Sequence, residues 1–187
     1  MSKIKIGLIG LGTVGGGVFK VLKNFPDVEI IKIAVKNIDK PRNIEDLDRA
    51  MLTTDPYEIV NDPECTVVAE LIGGVHPAYE LIKKAIENGK HVVTANKELL
   101  AKHGEELFNY AEQHNVVILY EAAIAGGIPL IMPIKTILAG NKITKIEAIL
   151  NGTTNYILTN MDEPLGYSIG NSLEVIEAVE ALQGDME

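Results

Sequence analysis

Tryptophan is absent from the sequence, and cysteine occurs once, at Cys65. A single thiol excludes an internal disulfide and fits a reducing compartment. Cys65 stands in a turn-like stretch with no base beside it, so it reads as a structural thiol and not as a nucleophile. Basic residues are in deficit: 17 Lys and Arg against 26 Asp and Glu, for a formal net charge of -9. That deficit argues against nucleic acid, whose phosphates require a basic face, and against an anionic membrane surface. No apolar run approaches the ~20 residues needed to span a bilayer. No charged, apolar, small-residue leader precedes the first strand pattern. The histidines (His76, His91, His103 and His114) show no metal-ligand spacing, and no Ser/His/Asp order stands out. The expectation is a cytoplasmic globular protein, whose 187 residues suffice for one full domain and part of another.

Glycine, by contrast, is concentrated where it counts. Lys3-Ile-Lys-Ile-Gly-Leu-Ile-Gly-Leu-Gly-Thr-Val-Gly-Gly-Gly17 reads as a short apolar strand over 4–9 running into a glycine turn and then a helix through Leu22. In Gly10-Leu11-Gly12-Thr13-Val14-Gly15 each glycine has its own task. Gly10 permits the tight turn off the strand, Gly12 lets a pyrophosphate approach the backbone, and Gly15 lets the new helix pack closely. The helix N-terminus then points its free N–H groups at the phosphates. Such a pattern alone is weak, but its position between strand and helix, with another strand following over 28–35, predicts a dinucleotide-binding unit.

That second strand ends at Lys36-Asn37, where NAD-selective sites carry an Asp or Glu for the ribose 2′-hydroxyl. Here the first charged residues are Lys36, Lys40 and Arg42, and Asp39 comes slightly late. The cations favour NADP, or dual use with NAD; a solvated loop is the plainer alternative. Residues 43–57 read as a connection with short helical turns. A buried strand follows over 66–72 and breaks at Gly73-Gly74, which leaves room beside a cofactor or simply makes a turn. Pro77 opens a helix to Asn88, which Gly89 closes. A strand over 90–94 ends in Ala95-Asn96-Lys97, a helix covers 98–113, and 116–120 is a further strand. Alternation of this kind predicts an α/β fold with a doubly wound parallel sheet of Rossmann type. Ligands lie outside the carboxyl ends of such strands, so the Gly10–Gly15 turn, Gly73, Asn96-Lys97 and Glu121 are expected at one crevice. Residues 121–128 read as a glycine-rich loop, 129–138 as an apolar helix, and 142–150 as a half-buried strand. A domain boundary falls near Gly127.

Taken bare, Lys97 is a surface lysine at a helix start more often than a catalytic group, because its reference pKa of ~10.4 disfavours work as a base. Glu121 beside free loop carbonyls suits a hard cation, although spacing alone favours a loop hydrogen bond.

Five blocks carry a resemblance. They are Gly10-Leu-Gly-Thr-Val-Gly15, Glu70-Leu-Ile-Gly-Gly74, Val93-Thr-Ala-Asn-Lys-Glu-Leu-Leu-Ala101, Tyr120-Glu-Ala-Ala-Ile-Ala-Gly-Gly-Ile-Pro129 and Leu150-Asn-Gly-Thr-Thr-Asn-Tyr-Ile-Leu158. In order and spacing they resemble homoserine dehydrogenase. The resemblance implies NAD(P)-dependent interconversion of L-homoserine and L-aspartate 4-semialdehyde, in threonine, methionine and isoleucine biosynthesis. It implies cofactor contacts along Gly10, Leu11, Gly12, Thr13, Val14, Gly15, Lys36 and Gly73, and an active-site role for Lys97 beside nicotinamide and substrate. It makes Glu121, with the carbonyls of Ile124, Gly126 and Ile128, a monovalent-cation (sodium) site. It places Asn151, Gly152 and Thr153 at the substrate edge.

The blocks run to about residue 161, giving an NAD(P)-binding domain over 1–127 and the truncated start of an α+β catalytic domain over 128–161. Residues 162–187 read as a separate helical tail. From Met161 the tail resembles an internal segment of thymidine/pyrimidine nucleoside phosphorylases. Physically it is a turn at 164–166, a cap at Asn171 or Ser172, and a helix with Leu173, Ile176, Val179 and Leu182 on one stripe before Gly184. The family's catalytic domain goes on to an acidic substrate-binding residue and a second active-site lysine that have no counterpart in this sequence. Two readings follow: a homoserine dehydrogenase, or a catalytically inactive fragment that only binds NAD(P). An unpartnered strand over 142–150 leads to the expectation of a homodimer or a poorly behaved monomer.

Overall fold

The computed structural model describes residues 3–125 and 129–145. Two compact units divide the chain, Met1–Gly126 and Gly127–Glu187. The first begins with β1 (Ile4–Ile9), α1 (Thr13–Leu22) and β2 (Val28–Ala34). A short 3₁₀ turn then leads to β3 (Leu52–Thr53), α2 (Tyr57–Val60) and β4 (Val67–Glu70). It ends with α3 (Ala78–Glu87), β5 (His91–Thr94), α4 (Lys97–Gln113), β6 (Ile118–Leu119) and α5 (Glu121–Ala125). The strands form one sheet in the order β3-β2-β1-β4-β5-β6, every neighbouring pair parallel. This is the Rossmann order, and the chain switches direction across the sheet between β1 and β4.

Alternation along the strands decides which helix covers which face. Ile6 and Leu8 of β1, Ile33 of β2 and Ala69 of β4 join Phe19 of α1 in one core. Ile9, Ala34, Val68 and Val92 face the other way, onto Ile59 and Val60 of α2, Leu81 and Ile82 of α3, and Leu99 and Leu107 of α4. Each Leu or Ile buried in this way contributes about 1.5–3 kcal/mol. Helix α3 presents Ala78, Leu81, Ile82, Ala85 and Ile86 to the sheet, all fully buried and at helical spacing. Gly89 ends that segment at φ +70°. Gly7 keeps β1 and α2 in contact, since a β-carbon there would stand 2.2 Å from Cγ2 of Ile59.

Four stretches differ from the sequence expectation, each for a local reason. Residues 43–57 hold β3 as well as helical turns; two residues are too few to show a period, and Leu52 and Thr53 become a strand only by pairing with Ile33 and Ala34. Residues 121–125 are helical where a glycine-rich loop was expected, because Glu121-Ala-Ala-Ile-Ala125 is strongly helix-forming ahead of the glycines. In the second unit, α6 covers only Ile131–Lys135 of the 129–138 expected. Pro133 lacks an N–H and is tolerated only in a helix's first turn, so a helix starting at Pro129 is excluded. Residues 142–145 take no strand conformation, and the remainder of that expected strand lies outside the described residues, as does the tail over 162–187.

The carboxyl ends of β4 and β5 are tied by one buried side chain. Glu70 is fully buried. Its Oε1 accepts from the N–H groups of Ile72 (2.9 Å) and Gly73 (3.3 Å), and its Oε2 accepts from the Thr94 hydroxyl (2.6 Å). The chain therefore wraps around its own carboxylate as it leaves β4, with Gly73 and Gly74 at φ +71° and +75°.

Two predictions follow from this packing. Glu70→Ala orphans one buried and two part-buried donors and lowers stability by about 2 kcal/mol, with Glu70→Gln milder. The urea midpoint measures both, and an unchanged midpoint in Glu70→Ala overturns the assigned tie. Cys65 is 3% exposed, and burial pushes its thiol above the ordinary value. The native protein therefore reacts slowly with a thiol-specific disulfide reagent and stoichiometrically once unfolded; rapid native labelling would contradict the burial.

Candidate functional site

The turn after β1 is built as a cradle. Gly10 sits at φ +107°, and a β-carbon on it would come within 2.9 Å of the Leu71 carbonyl oxygen. On Gly15 a β-carbon would stand 2.2 Å from the Gly10 carbonyl oxygen, a backbone atom that cannot swing aside. On Gly12 it would meet nothing within 4 Å. The first and third glycines are thus required by the fold, and the second is required by nothing in the protein itself. Gly12 is also the N-cap of α1, with no side-chain cap and no acidic residue in the first turn. The N–H groups of that turn, with no side-chain cap and no acidic residue in the turn itself, suit a phosphate.

A cleft of 510 Å³ opens at this turn, lined by Ile9, Gly10, Leu11 and Gly12 from β1 and its turn, and by Ala34, Val35, Lys36 and Asn37 from β2 and its end. Lys40 and Arg42 follow, then Thr54 and Pro56 after β3, and Ile72, Gly73, His76 and Pro77 after β4. Its charged chemistry is one-sided: three cationic side chains and a histidine, and no acidic side chain from among the described residues. His76 keeps its Nδ1 2.6 Å from Oε1 of Glu80. The Glu80 carboxyl is held below the usual range by its own backbone N–H and by His76. The size, the open backbone at Gly12 and the cations fit a dinucleotide with its pyrophosphate at α1.

Of the residues singled out in the sequence, Gly10, Leu11, Gly12, Lys36 and Gly73 line this cleft. Gly15 is buried beneath the turn, while Thr13 and Val14 are exposed in the first turn of α1. Lys97 is exposed at the first position of α4, directly after β5; it does not line the cleft. Glu121 opens α5 and is half-buried, and Ile124 is on the same short helix. Gly126, Ile128, Asn151, Gly152 and Thr153 lie outside the described residues. Among the described residues, no three His, Cys, Asp or Glu side chains gather as a metal site.

Two supporting residues went unassigned in the sequence. Asn96, buried before Lys97, donates from Nδ2 to the Gly74 carbonyl (2.6 Å) and accepts at Oδ1 from the Leu99 N–H (3.1 Å). It caps α4 and fastens the start of that helix to the turn after β4. Glu70 shapes the same turn from below, and its signal was available: it is the one charged residue within the apolar run Val67-Val-Ala-Glu-Leu-Ile72.

Comparison with known proteins converges on one family. The family model for the homoserine dehydrogenase NAD-binding domain matches residues 10–121, and the homoserine dehydrogenase model matches residues 129–181. The second match continues past residue 161, into the stretch where the sequence blocks stop. Homoserine dehydrogenase of Synechocystis sp. is 48% identical over 165 residues, covering 84% of this chain and 38% of that protein. That of Neisseria gonorrhoeae is 42% identical over 192 aligned positions, covering 99% of this chain and 44% of that protein. The solved homoserine dehydrogenase from Thiobacillus denitrificans superposes with a TM-score of 0.77 at 42% identity, over 98% of this chain and 43% of that one. The chain thus spans about two fifths of the length of the relatives it matches. Carrying the NAD-binding domain on a parallel six-stranded sheet with the glycine turn at its switch point, the chain belongs to the homoserine dehydrogenase family.

Proposed function

We propose that this chain supplies the cofactor-binding part of an NAD(P)-dependent homoserine dehydrogenase, interconverting L-homoserine and L-aspartate 4-semialdehyde in amino-acid biosynthesis. The observation that carries the reading is the cradle at Gly12, where a cleft lined by no carboxylate among the described residues meets the start of α1, which has no side-chain cap. When bound, the nicotinamide cofactor would supply the hydride in its reduced form and accept it in its oxidised form. Gly10 and Gly15 set the turn, Gly12 leaves its backbone open to the pyrophosphate, and Lys36 stands at the ribose end of the cleft. Lys97 is the residue we assign to the chemistry. At the carboxyl end of β5, with Asn96 fixing the helix start behind it, its ammonium donates a proton to the substrate carbonyl oxygen in reduction, and its neutral amine takes the proton from the hydroxyl in oxidation.

Further parts of the assignment rest on the family resemblance. Asn151, Gly152 and Thr153 border the substrate. Glu121, with the carbonyls of Ile124, Gly126 and Ile128, holds a sodium ion, the kind of oxygen-rich set a hard cation takes. The protein works in the cytoplasm, in keeping with its single free cysteine, and the homodimer rests on the family resemblance alone; no helix among the described residues is long and apolar enough to cross a membrane.

A second reading is favoured by one fact: the chain spans only 38% of the Synechocystis and 44% of the Neisseria gonorrhoeae homoserine dehydrogenase. On that reading it binds NAD(P) and turns nothing over. NADPH oxidation with L-aspartate 4-semialdehyde, measured beside cofactor binding by calorimetry, separates the two. Turnover that falls by about 10²-fold or more in Lys97→Ala supports the enzyme; binding without turnover supports the fragment.

The glycines supply an independent check. Gly12→Ala is expected to leave the thermal midpoint unchanged while abolishing NADPH binding, since its methyl enters the space the phosphates need. Gly15→Ala is expected to lose both, at about 1–3 kcal/mol of overpacking against a fixed carbonyl. Retained binding in Gly12→Ala would remove the pyrophosphate from this turn.

A further inference from the structure

The turn after β4 takes its shape from the strand beside it. Gly73 and Gly74 are both exposed and both at positive φ, and a β-carbon on either would meet nothing within 4 Å, so packing around them does not set the turn. Polar side chains reach in instead. Glu70 takes the N–H groups of Ile72 and Gly73, and Asn96 donates from Nδ2 to the Gly74 carbonyl. Asn96 is itself held in place. Its Oδ1 accepts from the Leu99 N–H, its own N–H donates to Thr94 Oγ1 (3.0 Å), and the Thr94 hydroxyl donates on to Glu70. A donor at Leu99 and an acceptor at Gly74 allow the amide one orientation only. These bonds close a ring, from Glu70 to Gly74 along the backbone and back through Asn96 and Thr94, and its three side chains are all buried. One arc of the ring carries Gly73 to the cleft, and the other leads into Lys97.

We propose that Asn96, which does not line the cleft, is a positioning residue for the dinucleotide: it holds the Gly73-Gly74 backbone ready for the cofactor and fixes that backbone to the strand end that carries Lys97. The proposal rests on the nucleotide-site reading above and deepens it by adding a residue outside the cleft. Glycine loses more conformational freedom on ordering than any other residue, and here two stand together. A bond that orders them before the cofactor arrives removes that cost from binding. The side chain thus has two separable tasks: a cap for α4, which any well-placed oxygen performs, and a tie to Gly74, which needs a donor.

The experiment is calorimetry on the whole chain with NADP+ and NAD+, repeated with the tighter of the two on Asn96→Asp and Asn96→Ser. Each variant keeps an oxygen to cap α4, but an ionised carboxylate has no proton to donate and a serine is too short to reach Gly74. At pH about 8 both are expected to bind about 5- to 10-fold more weakly, the range of one net hydrogen bond. Acid then separates the tie from packing. Burial raises the pKa of a carboxyl, so lowering the pH to about 5.5 protonates the group introduced by Asn96→Asp and restores a donor to the Gly74 carbonyl. Taken relative to wild type at each pH, so that titration of His76 in the cleft cancels, Asn96→Asp is expected to recover most of its loss and Asn96→Ser to stay flat. Circular dichroism shows which variants fold, and Asn96→Ser carries the affinity arm if the buried carboxylate unfolds Asn96→Asp. Affinities within about 2-fold of wild type in the folded variants overturn the positioning role. A loss in Asn96→Asp that acid does not relieve overturns the donated bond as its cause. Failure of the wild type to bind either dinucleotide overturns the nucleotide site itself, and is thereby distinguishable from loss of the tie.

Discussion

The structure depends on a contact with no side chain in it: Gly15 of α1 resting on the Gly10 carbonyl, where a β-carbon would be 2.2 Å from the oxygen. That closeness lets α1 leave the end of β1 at once and lie back on the sheet with Phe19 in the core. It also brings the uncapped start of the helix to the central strand, beside the point where the sheet order reverses. Gly12 then stands between two obligatory glycines without being needed by either. Folding fixes the outer two, and the middle one leaves the backbone at the helix start open, which is the space our proposal gives to the pyrophosphate.

A second constraint works from the neighbouring strand. The backbone beyond β4 has to turn away to leave the cleft open, and Glu70 makes it do so by gathering the N–H groups of Ile72 and Gly73 under a fully buried carboxylate. Thr94 links that carboxylate to β5, and Asn96 links the next turn to Gly74. The same linked backbone supports Gly73 at the cleft and Lys97 at the start of α4. Charge is segregated to match. In a chain with a net charge of -9, no carboxylate among the described residues lines the cleft, while Lys36, Lys40 and Arg42 do, so the local field attracts what the whole molecule repels.

The core elements were legible because their signals are long or chemically distinct. Helix α3 shows its stripe over ten residues, and the β1 turn carries three glycines at set intervals. The short elements were not. β3 exists through its partner and not through its own two residues, and α5 is overshadowed by the glycines after it. Buried polar side chains were the other gap. Lys90 reads as the start of a strand, yet it is 3% exposed with its ammonium donating to the carbonyls of Asp62 and Cys65. Arg42 was legible as a cation; its hold on the carbonyls of Asn37, Ile38 and Lys40 depends on how the loop closes, which composition does not encode. For Lys97 the residues alone favoured a surface lysine, and it is indeed exposed; its assignment to the chemistry comes from the family blocks around it.

The most direct test of the account is amide hydrogen exchange on the 187-residue chain with and without NADPH. The account predicts new protection confined to the turn over residues 10–16, the loop over 36–42 and the turn over 72–74, with no change on the outer faces of α3 and α4. Protection spread evenly over the sheet, or centred away from the Gly12 turn, would contradict it.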